Sequence, residues 1–134
     1  MPVEPRWGKY PSRVAVVKRC SEWHQLLREL GPDLRRRSVG ITLDWPKWEP
    51  KEGRWHIDVS PERTGSTCVR VHIFPDGRWA VRLINDDGDV ITKFEGTAPG
   101  DFKDDTLAGM QAAFDAMEKA TTDSIMKHLR EMVA

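Results

Sequence analysis

Two turn signals, Pro75-Asp76-Gly77 and Asp87-Gly88, punctuate the alternating runs between residues 67 and 95, which therefore read as an antiparallel meander. Pro-Asp-Gly suits a three-residue loop: proline presets the φ of the first turn position and glycine takes the positive φ. That loop pairs Phe74 with Arg78, His72 with Ala80 and Arg70 with Arg82. A two-residue register would set Val69, Val71 and Ile73 against Ala80, Arg82 and Ile84, mixing apolar with charged positions, and is rejected. Asp87-Gly88, taken as a two-residue turn, pairs Asp86 with Asp89, Ile84 with Ile91, Arg82 with Lys93, Ala80 with Glu95 and Val81 with Phe94. The two turns agree about which face is buried.

On that face lie Val69, Val71, Ile73, Trp79, Val81, Leu83 and Phe94, joined by Trp55, Ile57 and Val59 from the preceding strand. The opposite face carries a row of like charges, Arg70, Arg82 and Lys93, with Arg54, His56 and His72 beside it and Asp58 and Glu95 as the available acids. Like charges directly opposite one another destabilise a sheet by up to ~1 kcal/mol. Such a row is tolerated when solvated and favoured when an anionic group lies over it.

Elsewhere the pattern predicts an irregular arm over 1–12, a strand over 13–19, and a short helix capped by Ser21 with Trp23, Leu26, Leu27 and Leu30 on one stripe, ending at Gly31-Pro32. A basic link, DLRRRS, and a strand over 39–45 follow. Residues 44–55, DWPKWEPKEGRW, read as a loop with Trp45 and Trp48 stiffened by prolines. Strands are expected at 53–59, 67–74, 77–84 and 89–95, then a long helix from about Asp104 to Val133, with a kink or break at Thr121-Thr122-Asp123. The expected architecture is one α+β domain over 1–134: an antiparallel β-meander of four to five strands packed against a long C-terminal helix and a short N-terminal helix.

Composition narrows the function. Apolar residues make up 39% and charged residues 31% of 134, the balance of a folded soluble domain. No apolar run is long enough to cross a membrane and the N-terminus has no secretory pattern, so the expected compartment is the cytoplasm. The two cysteines, Cys20 and Cys68, are expected to be reduced and buried. Charge is polarised: residues 1–37 carry nine Lys/Arg against four Asp/Glu, and residues 86–134 carry five against eleven. A general coat for nucleic acid would be more uniformly basic, and an intramolecular or subunit contact between the two ends is equally consistent with the asymmetry.

Cys20-x3-His24 and Cys68-x3-His72 have ligand-like spacing, but four residues of strand separate Cys68 from His72 by ~13 Å, too far for one ion. Asn85-Asp-Asp-Gly-Asp89 fails the calcium-loop pattern at its first and last positions. No nucleophile elbow or phosphate loop is present. The sequence therefore assigns no catalytic residue, metal or cofactor. It points to a small non-enzymatic binding protein, an inhibitor, adaptor or accessory factor. An acidic protein partner is expected on Arg70, Arg82, Lys93, Arg54 and His72, extended by Trp45 and Trp48. A nucleic-acid phosphate backbone on the same face is the alternative. Metal-independent cleavage of RNA by His56 and His72 is the second alternative. The amphipathic end of the last helix offers a homodimer surface. The size and polarised charge fit a regulator carried by a phage or other mobile element, although no residue shows that origin.

Overall fold

The computed structural model describes residues 4, 6–7, 10–11, 13–30, 41–61 and 66–132. In chain order the elements are β1 (Arg6–Trp7), β2 (Tyr10–Pro11), α1 (Arg13–Leu30), β3 (Ile41–Leu43), β4 (Lys47–Glu49), β5 (Arg54–Pro61), β6 (Val69–Ile73), β7 (Arg78–Ile84), β8 (Val90–Thr97) and α2 (Thr106–Met132). The fold is α+β, an antiparallel sheet with a long C-terminal helix and a shorter N-terminal one. The sheet runs β3-β5-β6-β7-β8, with β4 pairing the other half of the outer edge of β5. Within the arm, β1 pairs β2 in a two-residue antiparallel contact.

The first hairpin has the expected register: Arg70 faces Arg82, His72 faces Ala80, and the Phe74 N–H donates to the Arg78 carbonyl at 2.9 Å. Gly77, at φ 98°, takes the left-handed position that the loop requires. The second turn differs at its tip. Asn85 pairs with Asp89 around a three-residue loop, because the Asn85 side chain accepts from the N–H groups of Asp87 at 3.0 Å and Asp89 at 2.9 Å. Ile84 then meets Val90 instead of Ile91, and a bulge returns the strands to Leu83–Thr92, Arg82–Lys93 and Ala80–Glu95. The longer loop and the bulge cancel, so beyond the tip the expected pairing holds. Ile91, left at the bulge, is 53% exposed.

The predicted strand over 13–19 is a helix. Val14, Val16 and Val17 suggest β structure by propensity, yet Val16, Cys20, Trp23 and Leu27 recur at helical spacing and all are buried. Ser21 is therefore an exposed mid-helix residue, not a cap. Gly31-Pro32 and the DLRRRS link lie outside the described residues. The tryptophan segment is not all loop: Lys47–Glu49 pairs with Arg54–His56 around a turn closed by Gly53, whose N–H donates to the Glu49 carbonyl at 2.8 Å. The last helix is continuous through 121–123. Thr121 Oγ1 donates to the Met117 carbonyl at 2.6 Å and Thr122 to that of Glu118, so both hydroxyls are satisfied without breaking the helix.

One layer of core separates the sheet from the helices. Trp55, Ile57, Val59, Val69, Val71, Ile73, Val81 and Leu83 meet Met110, Phe114, Met117, Ile125 and Leu129 of α2, and α1 adds Trp23 edge-on to Phe114 at 5.7 Å. The Asp105 carboxylate caps α2 through the Ala108 N–H at 3.0 Å. At Gly109 a Cβ would stand 1.8 Å from the Pro75 carbonyl oxygen, so glycine lets the helix start lie directly on the first hairpin tip. The charge polarity of the chain is partly absorbed here: Arg19 on α1 pairs with Asp115 at 2.8 Å and with Glu118 on α2. Ile125, Met126 and Leu129, whose amphipathic segment reads equally as core or as a dimer or partner surface, are buried within the chain. No described helix is long and apolar enough to cross a membrane.

Candidate functional site: the polar face of the sheet

Strand alternation sends Arg54, His56, Asp58, Arg70, His72, Arg78, Ala80, Arg82, Lys93 and Glu95 to the side away from the helices. The row Arg70–Arg82–Lys93 crosses three adjacent strands. Local acids relieve most of its repulsion. Arg70 Nε donates to Asp58 at 3.1 Å, Arg54 Nε to Glu49 at 2.7 Å and Arg78 Nε to Asp76 at 2.7 Å, while Lys93 lies 3.4 Å from Glu95. Among the described residues Arg82 has no carboxylate partner.

The face is not flat. A groove of about 330 Å³ is lined by Arg54, His72, Phe74, Arg78, Arg82, Lys93 and Glu95, four permanent cations to one acid. Phe74 forms its aromatic wall, with the Arg78 guanidinium 4.3 Å and the Arg54 guanidinium 6.0 Å from its ring centroid.

Beside the groove the two histidines meet. His56 and His72 are paired residues of β5 and β6, with His56 Nδ1 3.1 Å from His72 Nε2. His56 Nε2 lies 2.9 Å from Asp58 Oδ2. A carboxylate only accepts, so that nitrogen carries a proton; in the neutral ring Nδ1 then turns its lone pair toward His72. His72 is 2% exposed. Burial, then the charges of Arg54 and His56, push its pKa down to about 4 against the pull of Glu49. Burial pushes the Glu49 carboxyl up, but the hydrogen bond and charge of Arg54, with both histidines, outweigh it and hold the group below its ordinary value. The two rings are thus in contact, with centroids 5.1 Å apart and planes tilted by 49°.

The tryptophans stand elsewhere. Trp48 packs edge-on to Trp55 at 5.5 Å on the helix side of the sheet, whereas Trp45 is 59% exposed. Both border a depression shared with Arg13 and Val17 of α1. The expected surface thus divides: Arg54, His72, Arg82 and Lys93 share the groove, Arg70 lies outside its lining, and Trp45 and Trp48 do not extend it.

Neither cysteine motif joins its histidine. His24 Nε2 lies 2.9 Å from the Ile41 carbonyl, and burial pushes both thiols up to about 12, which disfavours the thiolate. Besides Arg78, which lines the groove, two residues escape the sequence reading. Glu49 was assigned to a loop, although the Trp48/Trp55 pair around Pro50 to Gly53 carries a hairpin signal. His128 looks like a helix-surface residue, yet it is buried with Nε2 3.1 Å from the Cys68 carbonyl and 2.9 Å from that of Ile84. No family model, curated protein or solved structure matches this chain.

Proposed function

We propose that this protein is a non-enzymatic binding module, an inhibitor, adaptor or accessory factor, that holds an acidic segment of a protein partner in the groove over β6, β7 and β8. The observation that carries the reading is the groove's lining, four permanent cations to one acid, with Arg82 lacking a carboxylate partner among the described residues. A bound carboxylate completes the pairing that the row of like charges leaves unfinished, and Phe74 supplies apolar contact for the stem of the side chain carrying it. On the same reading the protein works in the cytoplasm, in keeping with its free, buried cysteines.

The test is fluorescence anisotropy with a labelled glutamate-rich peptide, single-stranded and duplex DNA, and RNA, each at low and high salt. The peptide should bind saturably, and Arg82→Glu should weaken it ~10-fold or more, since like charge in the groove replaces attraction. Preference for a nucleic acid, with affinity falling steeply with salt, would replace the protein partner by a phosphate backbone. No binding of any probe at low salt would defeat the reading.

A further inference from the structure

The polar face holds a second arrangement beside the groove, sharing His72 with its lining and touching its Arg54. Glu49 on β4, His56 on β5 and His72 on β6 bring one ligating atom each to a common point. His56 Nδ1 is 3.1 Å from His72 Nε2 and 3.7 Å from Glu49 Oε1, and His72 Nε2 is 3.9 Å from the same oxygen. Two donors ~2.1 Å from one ion stand ~3.0 Å apart at octahedral corners and ~3.4 Å apart at tetrahedral ones. For a tetrahedral ion the two longer sides must shorten, and the His56–His72 side lengthen, by only tenths of an ångström.

We propose that Glu49, His56 and His72 form a binding site for a divalent transition ion of the zinc class, with Asp58 orienting His56 from behind. Two imidazoles and a carboxylate suit zinc, nickel or copper better than magnesium or calcium, which prefer all-oxygen shells. Asp58 accepts from His56 Nε2, the partner arrangement that frees Nδ1 for a metal and fixes the ring. All three ligands sit on paired strands, so their spacing is set by the sheet and not by a loop. Three protein ligands leave a position for water. Glu49 and His56 open onto a depression of about 220 Å³ that they share with Asp44, Lys47 and Asp58, which gives an ion its way in. Two contacts compete with the ion. The His56–His72 hydrogen bond is replaced when it binds. Arg54 holds one lone pair of Glu49 and offsets its charge, which keeps the affinity below that of a dedicated structural zinc site.

The full chain, stripped with chelator and then freed of it, would be titrated with zinc chloride by calorimetry and with cobalt(II) chloride by visible absorption. The expected result is one ion per chain, with cobalt d–d bands and no near-ultraviolet thiolate charge transfer. His56→Ala should weaken zinc ~100-fold or more, and Asp58→Asn ~10- to 100-fold, with the far-ultraviolet circular dichroism unchanged. If His56→Ala fails to fold, Glu49→Gln and Asp58→Asn carry the test, because both sites are partly exposed. No zinc binding by the folded wild type at millimolar metal would overturn the site. So would zinc affinity unchanged in the folded ligand variants, or cobalt bands that report cysteine.

Discussion

His72 and His128 are buried to nearly the same degree at the sheet, and they do opposite things. His128 projects from α2 to two backbone carbonyls, Cys68 and Ile84, groups that never change charge; it ties the helix to the ends of β6 and β7. His72 points to the other face, where four ionisable groups surround it: His56, Glu49, Arg54 and Arg82. Burial alone does not make a histidine responsive; the chemistry of its partners does. The same contrast holds for the two faces of the sheet. One is closed by apolar side chains with fixed partners, and the other is a field of charges whose balance a ligand can alter.

The contrast is broken most severely from the apolar side. Trp55 is fully buried, meets Trp48 edge-on and donates its indole N–H toward Met110 Sδ at 2.8 Å. Trp55→Ala should cost ~3–5 kcal/mol in urea unfolding. A loss below ~1 kcal/mol would mean that the face is loosely packed.

A middle-sized effect should come from His72 through pH. Its unfolded imidazole titrates near 6.5 and its folded one near 4, so protons bind the unfolded chain first. Its contribution to stability is complete above about pH 6.5 and is lost as pH falls toward about 4. Between about pH 7.5 and about pH 4.5, in chelator, the wild type should lose ~2–3 kcal/mol more than His72→Gln in parallel denaturant titrations. Equal losses would show that the ring is not held neutral, and the contrast with His128 would lapse.

The smallest effect sharpens the comparison. Arg70→Ala combined with Arg82→Ala removes two members of the cation row, which water and nearby acids already screen. It should move stability by ~1 kcal/mol or less while weakening binding of an acidic peptide in anisotropy. Unfolding by this double change would assign the polar face a structural role.

The meander was readable because turn chemistry and face partition pointed to one register, which the structure reproduces from Arg70–Arg82 to Lys93. The error at Asn85 is instructive for the same reason: a one-residue change in the loop forced a bulge to keep Leu83 and Val81 buried, so burial overruled the turn. The first half of α1 was misread because three valines favour strand locally, while packing against Phe114 and Met117 rewards the 3.6-residue spacing that Val16, Cys20 and Trp23 share. Four cations of the candidate surface were legible as a cluster from alternation alone. The convergence of Glu49 on the histidines was not, because it depends on a short strand folding back along half an edge that β3 also occupies.

The order of the sheet has a consequence in time. From β5 to β8 each strand pairs with the one before it in the chain, and the last two connections are three-residue loops, so the meander closes at little entropic cost. The helix that covers it comes afterward. Chain order therefore leaves Trp55, Val71 and Val81 without their α2 cover until the residues beyond Thr106 have been made, and exposed apolar surface of that kind is what makes incomplete chains prone to aggregate.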